Sequence, residues 1–331
     1  MSGTSHDVAR LAGVSQPTVS RALRGDPRVA DATREKVLRA AAELGYVTSE
    51  LGRGLATRST RQVAMVADLR NALYPALVGP LHDRFAEHGF RMLLLAEHGD
   101  DAGTYRRVLD RSVDGVVLTT TLSGSPLPTG LLASGLPFVE LNRLSGLPEA
   151  DGVSADNHGG AGAVARLLLA EGHQRIAAVL GSSDTSTGRD REAGFRAALA
   201  AAGTELPASR VTHGGFGYED GERGFAAVMT GQDRPHAVFC VGDLVAVGAL
   251  NQARRMGISV PRDVAIVGFD DIAMAAWPCF NLTTARADLD AMAKAAADLL
   301  VGRMRGDASP PRTRVFPAEL VLRGTHRAGP G

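Results

Sequence analysis

The chain has 331 residues, enough for two or three domains with cores of their own. Its 36 Arg and Lys balance its 36 Asp and Glu, which excludes a generally basic coat for nucleic acid. The two cysteines, Cys240 and Cys279, exclude a disulfide framework and a CxxC metal site, and no apolar run reaches the length of a membrane span. With no apolar signal-peptide stretch at the N-terminus, a cytoplasmic, nucleoid-associated protein that does not meet a membrane is expected. The charge is unevenly spread. Residues 1–61 hold ten Arg and Lys against six Asp and Glu, a net of about +4, and the remainder sits at about −4. The positive end is where contact with phosphates would be made.

In chain order, three short helical patterns fill Ser5 to Tyr46, broken at Gly13–Val14 and at Gly25–Asp26–Pro27. Thr4 or Ser5 can cap the first, and Thr4-x-x-Asp7 is a loose capping box. Val8, Ala9, Leu11 and Ala12 form its apolar stripe, and Gly13 is placed to end it in a left-handed conformation. Ser15 is the expected cap of the second helix, with Pro17 in the first turn, where a missing N–H costs nothing. Val19, Ala22 and Leu23 face inward, which leaves Gln16, Thr18, Ser20, Arg21 and Arg24 outside. Gln and Arg can reach base edges; Ser, Thr and Arg suit phosphates. The third helix runs from about Ala32 to Leu44, turns Val37, Leu38, Ala41 and Leu44 inward, and closes at Gly45. A short capped helix after a tight turn is the layout of a helix-turn-helix; the plainer alternative is a three-helix bundle with a polar surface.

The strings DVARLAGVS, TVSRAL and TREKVLRAAAELGY resemble the headpiece of the lactose-repressor (LacI/GalR) family almost without interruption. The resemblance implies that Ser15, Gln16, Pro17, Thr18, Ser20 and Arg21 enter a major groove, and that Gln16 and Pro17 set operator preference. Thr4 and Arg24 complete the DNA-binding set expected of the headpiece. One departure is Ala30, where the family has a capping Ser; Asp31 is expected to take over that cap.

Val47 to Arg61 reads by composition as a short polar linker. By resemblance it is the family's hinge helix, P-N-x-x-A-R-x-L. Arg53 and Leu55 are kept, while Thr48, Ser49 and Gly52 replace the Pro, Asn and Ala. Gly52 and Gly54 each cost about 1 kcal/mol against Ala in a helix, and so short a helix is marginal alone. The segment is therefore expected to be disordered off DNA and to fold when two copies meet in the minor groove. Leu55 would then wedge between the central base pairs.

From Gln62 onward strands alternate with helices. Candidate strands are Val63–Ala67, Arg91–Ala96, Gly115–Thr119, Phe138–Leu141, Val153–Ala155, Ile176–Leu180, Arg210–His213, Ala237–Val241 and Ala265–Phe269. Helices are expected at Leu77–Glu87, Ala161–Glu171, Asp190–Ala202, Gly221–Thr230, Leu244–Met256 and Leu289–Met304. Alternating units of this kind form doubly wound parallel sheets, and two in series leave a cleft between two subdomains. The landmarks VDGVVL, ADN, GHQRIA, STGRDREAGFRAAL, VGDLVAVGAL, DVAIVGFDD and LTT stand in the order of the same family's effector-binding domain, itself similar to periplasmic sugar-binding proteins. The expected fold is α/β: an all-α helix-turn-helix headpiece (1–46), a hinge (47–61) and a two-subdomain, periplasmic-binding-protein-like domain (62–331). Subdomain 1 covers about 62–157 and 286–331, and subdomain 2 about 158–285. The resemblance further implies that the last helix and the strand RVFPAELVLRGT return to subdomain 1.

Candidate effector-binding residues stand at strand ends and helix starts. Asp270 ends a strand and can accept from two vicinal hydroxyls, or cap the turn from Ile272, a task its neighbour Asp271 fits better. Arg191 aligns with the family's effector-binding Arg, whose fork can donate to two oxygens; a surface pair with Asp190 or Glu192 is the alternative. Tyr74 and Phe216 can lie against a sugar face or pack in the core. Thr119 and Asn142 end strands at the same crevice, and Trp277 follows at its edge. Where the family commonly has Asn-Asp the chain has Gly242–Asp243. A hydrogen bond is lost and space gained, and Asp243 can touch the effector or cap the helix from Leu244.

Enzyme readings find little. Gly160 to Ala165 fits G-x-G-x-x-A but sits several residues beyond its strand, inside a helix. There is no G-x-S-x-G elbow, and the nine histidines lack metal-ligand spacing, so neither a catalytic constellation nor a cofactor is expected. A transporter-feeding sugar-binding protein would lack the headpiece. The expected function is a homodimeric, sequence-specific regulator of transcription, foremost a repressor. It would bind double-stranded, pseudo-palindromic operator DNA under control of a sugar or nucleoside effector.

Overall fold

The computed structural model describes residues 3–23, 25–46, 59–97, 108, 112–230 and 233–327. The chain divides into two compact units, Met1–Thr60 and Arg61–Gly331. Arg24 and most of the hinge, including Thr48, Ser49, Gly52, Arg53, Gly54 and Leu55, lie outside the described residues.

The first unit holds α1 (Ser5–Ala12), α2 (Gln16–Leu23) and α3 (Asp31–Glu43). Thr4 caps α1 in a full capping box with Asp7, and Gly13 closes it at φ 66°, its N–H on the Ala9 and Arg10 carbonyls. Val8, Val19, Ala22, Val37, Ala40 and Ala41 make the core. Two expectations fail here. Asp31 does not cap α3: Ala30 holds the cap position without a side-chain bond, and Asp31 pairs with Arg34 at 3.1 Å, one turn on. Leu11 and Leu38 do not turn inward but stand 48% and 50% exposed, because the Val and Ala core closes without them.

In the second unit, β1 (Gln62–Ala67), α4 (Leu73–Glu87), β2 (Arg91–Ala96), β3 (Gly115–Leu118), α5 (Pro126–Ser134), β4 (Phe138–Leu141) and β5 (Asp151–Ala155) come first. They are followed by α6 (Asn157–Ala170), β6 (Ile176–Leu180), α7 (Ser186–Ala201), β7 (Val211–His213), α8 (Tyr218–Met229), β8 (Ala237–Cys240), α9 (Asp243–Arg255) and β9 (Ala265–Val267). The chain ends with β10 (Thr284–Ala287), α10 (Leu289–Met304), β11 (Thr313–Phe316) and β12 (Ala318–Val321). One sheet has the order β2-β1-β3-β4-β5-β11 and the other β7-β6-β8-β9, each parallel throughout. Their central strands are buried throughout apart from Gln62 at the start of β1, as strands covered by helices on both faces must be. Strand order reverses between β1 and β3 and again between β6 and β8. Open parallel sheets leave a ligand crevice beyond the carboxyl ends of strands at such points.

Several helices start about four residues before the hydrophobic pattern does. Asp156 accepts from the Gly159 N–H at 2.7 Å and Thr185 from the Gly188 N–H at 3.0 Å, so NHGG and STGR become first turns rather than loop. The end of the chain also departs from expectation. β11 joins the first sheet beside β5, and α10 packs beneath it, but the strand does not continue. Pro317 has no N–H to extend the ladder. Beyond it β12 pairs antiparallel with β10, and Thr325 and His326 bond to Thr283 and His173 in the second subdomain.

Candidate functional site

In the first unit, α2 presents Ser15, Gln16, Pro17, Ser20 and Arg21 exposed on one side, with Thr18 half-buried and Thr4 exposed at the head of α1. The Ser15 hydroxyl accepts from the Thr18 N–H at 3.4 Å and lies 2.8 Å from its hydroxyl, fixing the first turn. Gln16 donates through Nε2 to Ser5 Oγ at 3.2 Å, which holds its amide before any partner arrives. Val19 and Ala22 anchor the helix from beneath. An outward row of hydroxyl, amide and guanidinium groups on a helix held in this way can dock in a groove and hydrogen-bond base edges.

In the second unit the carboxyl ends of both sheets meet at a cleft. Arg191, from the second turn of α7, lies across it with its side chain 2% exposed. Its Nε donates to Asn157 Oδ1 at 2.8 Å, one terminal nitrogen to the Val241 carbonyl at 2.6 Å, and the other to Asp270 Oδ1 at 2.7 Å. Its guanidinium carbon stands 3.8 Å from the centre of the Phe269 ring. Asp270 follows β9 at φ 112° and Asp271 at φ 52°, two successive non-glycine residues in conformations that cost energy. That bend turns the Asp270 carboxylate onto Arg191. Burial pushes its pKa above the usual carboxylate value, with Arg191 pulling the other way.

Opposite stand Tyr74, Asn142 and Arg143. Asn142, at φ 74°, donates to the Tyr74 hydroxyl at 3.4 Å, and the Arg143 N–H donates back to the Leu141 carbonyl, a tight γ-turn at the end of β4. The turn aims Arg143 into the cleft, its guanidinium carbon 6.0 Å from the Tyr74 ring and 5.0 Å from the Phe216 ring of the other subdomain. The edges of the cleft are bridged where the Ser123 N–H donates to the Asp184 carbonyl at 2.7 Å and the Leu144 N–H to Ser186 Oγ at 2.9 Å.

The structure thus brings together Tyr74, Asn142, Arg191, Phe216 and Asp270. Thr119 and Asp243 are turned to other tasks. The Thr119 hydroxyl donates to the Val66 carbonyl at 2.8 Å. Asp243 is wholly buried; it accepts from the Ile272 N–H at 2.9 Å and the Thr284 hydroxyl at 2.5 Å, and it does not cap α9, which begins with it. It ties α9 to the Asp270 loop and to β10. Neither Asp270 nor Asp271 caps the turn after Ile272, since Asp271 pairs with Arg323 at 2.7 Å. Trp277 is 51% exposed and stacks on Phe280 rather than on the cleft residues. Gly242 has φ −155°, open to any residue, and a β-carbon there would lie 3.1 Å from Asp270 Oδ2 and 3.8 Å from Phe216. The G-x-G-x-x-A glycines serve packing: a β-carbon on Gly160 would fall 2.7 Å from that of Ala318 and 2.9 Å from the Phe269 ring. The helix start that would face a pyrophosphate is filled by Asp156.

Arg143, Asn157 and Phe269 escaped the sequence reading. A charged residue directly after the buried end of β4 was the available signal for Arg143.

Residues 4–49 match bacterial regulatory proteins of the lacI family, and residues 165–326 a periplasmic binding protein-like domain. The transcriptional regulator CelR of Thermobifida fusca is 36% identical over 329 residues, 96% of each chain. The chain belongs to the LacI family of DNA-binding transcriptional regulators. Another relative of this LacI-family regulator, the repressor CytR of Escherichia coli, is 30% identical over 99% of this chain and 97% of its own. A solved CelR–cellobiose complex superimposes with a TM-score of 0.76 at 33% identity, covering 98% of this chain and 99% of the other. A lac repressor dimer bound to operator and the anti-inducer ONPF shares the fold, with a TM-score of 0.88 at 24% identity, covering 99% and 100%. Among the described residues no helix is long and apolar enough to cross a membrane, and no group of His, Cys, Asp and Glu could hold a metal ion.

Proposed function

We propose that this regulator is a repressor that binds a pseudo-palindromic operator as a homodimer and is gated by a sugar or nucleoside in the cleft between its subdomains. The observation that carries the reading is the buried Arg191–Asp270 pair at 2.7 Å, held by Asn157 and the Val241 carbonyl. Burying two charges is expensive, and doing so at the meeting point of two sheet ends is the mark of a site shaped for a ligand. A carboxylate and a planar guanidinium side by side can accept from and donate to vicinal hydroxyls, with Phe216 and Tyr74 against a ring face. The relative named for its cellobiose complex lends support to a sugar.

Ser15, Gln16, Pro17, Thr18, Ser20 and Arg21 read the major groove, with Thr4 and Arg24 on the backbone. Two copies of the 47–61 segment fold together in the minor groove around Arg53 and Leu55. The effector closes the cleft and moves the two first subdomains of the dimer against each other, which changes the spacing of the hinges. A coupling of about 1–3 kcal/mol changes operator affinity about 5–150-fold. The protein acts in the cytoplasm, at the nucleoid, by binding alone and without catalysing a reaction. The test is a gel shift on the DNA upstream of its own gene with a panel of sugars and nucleosides. One of them should release or tighten the complex, and Arg191→Ala or Asp270→Ala should erase that response while operator binding persists. A response that survives in both variants refutes the reading.

A further inference from the structure

The turn from α2 to α3 carries a carboxylate where a DNA-binding surface would be expected to carry none. After α2 the chain turns at Gly25, φ 72°, and the Asp26 N–H donates to the Arg21 carbonyl at 3.1 Å. From beneath, Arg34 of α3 donates to the Asp26 carbonyl at 3.0 Å and to the Val29 carbonyl at 3.4 Å. The turn is thus fixed at both ends, and with it the place of its side chains. The Asp26 carboxylate accepts at Oδ1 from the Arg28 N–H and Nε, both at 3.0 Å, and at Oδ2 from Arg28 Nη2 at 2.8 Å. Such a two-pronged grip is the one an arginine makes on a phosphate.

Other acids of the headpiece have helix ends to serve. Asp7 completes the capping box of α1, and Asp31 stands in the first turn of α3, where the helix dipole favours a negative charge. Asp26 serves neither end of a helix and gives both oxygens to Arg28. The Arg28 side chain is 79% exposed and the Asp26 side chain 16%. A guanidinium therefore stands out in solvent beside the C-terminal end of α2, with one edge of its fork already filled. Arg28 and, after it, the charge of Arg21 hold the Asp26 carboxyl well below the usual carboxylate range, so it stays ionised wherever DNA is bound. Its charge cancels that of Arg28 and opposes the approach of a polyanion to the exposed face of α2.

We propose that Asp26 is a built-in competitor for the DNA backbone: it occupies the Arg28 guanidinium that would otherwise hold a phosphate beside the groove entered by α2. The assignment rests on the reading of α2 as the helix that enters the groove. Phosphate contacts supply nearly all of non-specific binding and carry no sequence information. Withholding one of them in each headpiece lowers retention on any DNA and leaves the base contacts of Gln16 and Arg21 untouched. Asp26 thereby sets how tightly the headpiece holds DNA, and not which sequence it holds.

The experiment is fluorescence anisotropy of the full chain on two labelled duplexes, the DNA upstream of its own gene and an unrelated duplex of equal length, between about 50 and 200 mM salt. The parent is compared with Asp26→Asn, which keeps an acceptor for the Arg28 N–H, with Arg28→Gln, and with the two combined. Arg21→Ala is the control for the reading helix. Asp26→Asn should tighten binding to both duplexes by about two- to fivefold for each headpiece engaged, the scale of one exposed ion pair. It should also steepen the slope of log affinity against log salt by about 0.9 for each headpiece, the share of one phosphate. Arg28→Gln should cost about two- to fivefold more in the Asp26→Asn background than alone, because only there does the guanidinium reach a phosphate. Binding by Asp26→Asn that is unchanged or weaker, or an Arg28→Gln cost equal in both backgrounds, overturns the proposal. If Arg21→Ala in that case still abolishes the preference for the upstream DNA, α2 remains the reading helix; if that preference survives, both readings fall.

Discussion

The headpiece and the cleft are held together by opposite kinds of contact. In the headpiece the bonds are short in sequence and lie near water: Thr4 with Asp7, Ser15 with Thr18, Gln16 with Ser5. In the cleft Arg191 reaches across 34, 50 and 79 positions to Asn157, Val241 and Asp270, and is shut away from solvent. The first region works by offering charge and hydrogen bonds outward to a large charged partner. On the proposed function, the second holds a buried ion pair at the place where a small ligand would bind. Their responses to salt, mutation and pH should therefore separate.

Salt should separate them most. Raising it from 50 to 200 mM weakens operator binding by about 10³–10⁵ for a protein making 6–10 phosphate contacts, whereas buried pairs are little screened, so effector affinity should hold within about twofold. Equal sensitivity in both titrations would erase the contrast. Next comes Arg191→Ala, which leaves the Asp270 carboxyl buried without its partner. Stability should fall by about 3–5 kcal/mol and effector affinity by about 100-fold or more. Adding Asp270→Ala should restore stability without restoring the ligand; a double variant no more stable than the single one would mean that the pair does not carry the cost. A smaller effect is expected from Thr4→Ala, which removes the cap of α1 and should cost about 1 kcal/mol. It should appear in the melting of the first unit and not of the second, and a shift in both transitions would tie the units more closely than their separate cores imply.

The smallest effect is in pH. Burial, with the Asp270 charge adding to it, holds the Asp243 carboxyl well above its ordinary value of 3.8. An acid raised by folding contributes most below its unfolded value, where it is protonated in both states, and that contribution is lost as pH rises through its folded value. The urea midpoint of Asp243→Asn relative to the parent should therefore climb as pH rises above the ordinary carboxylate value of 3.8. A pH-independent difference would contradict the assignment of a strained carboxylate there.

The same contrast decides what could be read without coordinates. Caps, helix breaks and polar faces in the headpiece act over three or four residues, and Thr4, Gly13 and Ser15 announce themselves in the order of letters. Leu11 and Leu38 did not, because whether a leucine is covered depends on how tightly Val8, Val19 and Val37 close the core beneath. The alternation of strands and helices was legible from periodicity. The starts of α6 and α7 were not, because glycine-rich first turns look like loop until Asp156 and Thr185 are seen to cap them. Asp270 and Arg191 could be singled out, but their pairing, the support from Asn157, and Arg143 come from sheet topology. Asp243 shows the limit best. A carboxylate at a helix start beyond a strand reads as a ligand contact or a cap, and only the fold reveals it bonded to Ile272 and Thr284 beneath the cleft.

On the proposed function, the cleft around Arg191 and Asp270 and the outward face of α2 belong to one two-state system. Effector affinity measured with and without saturating operator tests it directly. The predicted result is a change in effector dissociation constant equal to the factor by which saturating effector changes operator affinity, about 5–150-fold, and its disappearance in Asp270→Ala. Effector affinity that is the same on and off the operator, while effector still displaces the protein from DNA, would contradict it.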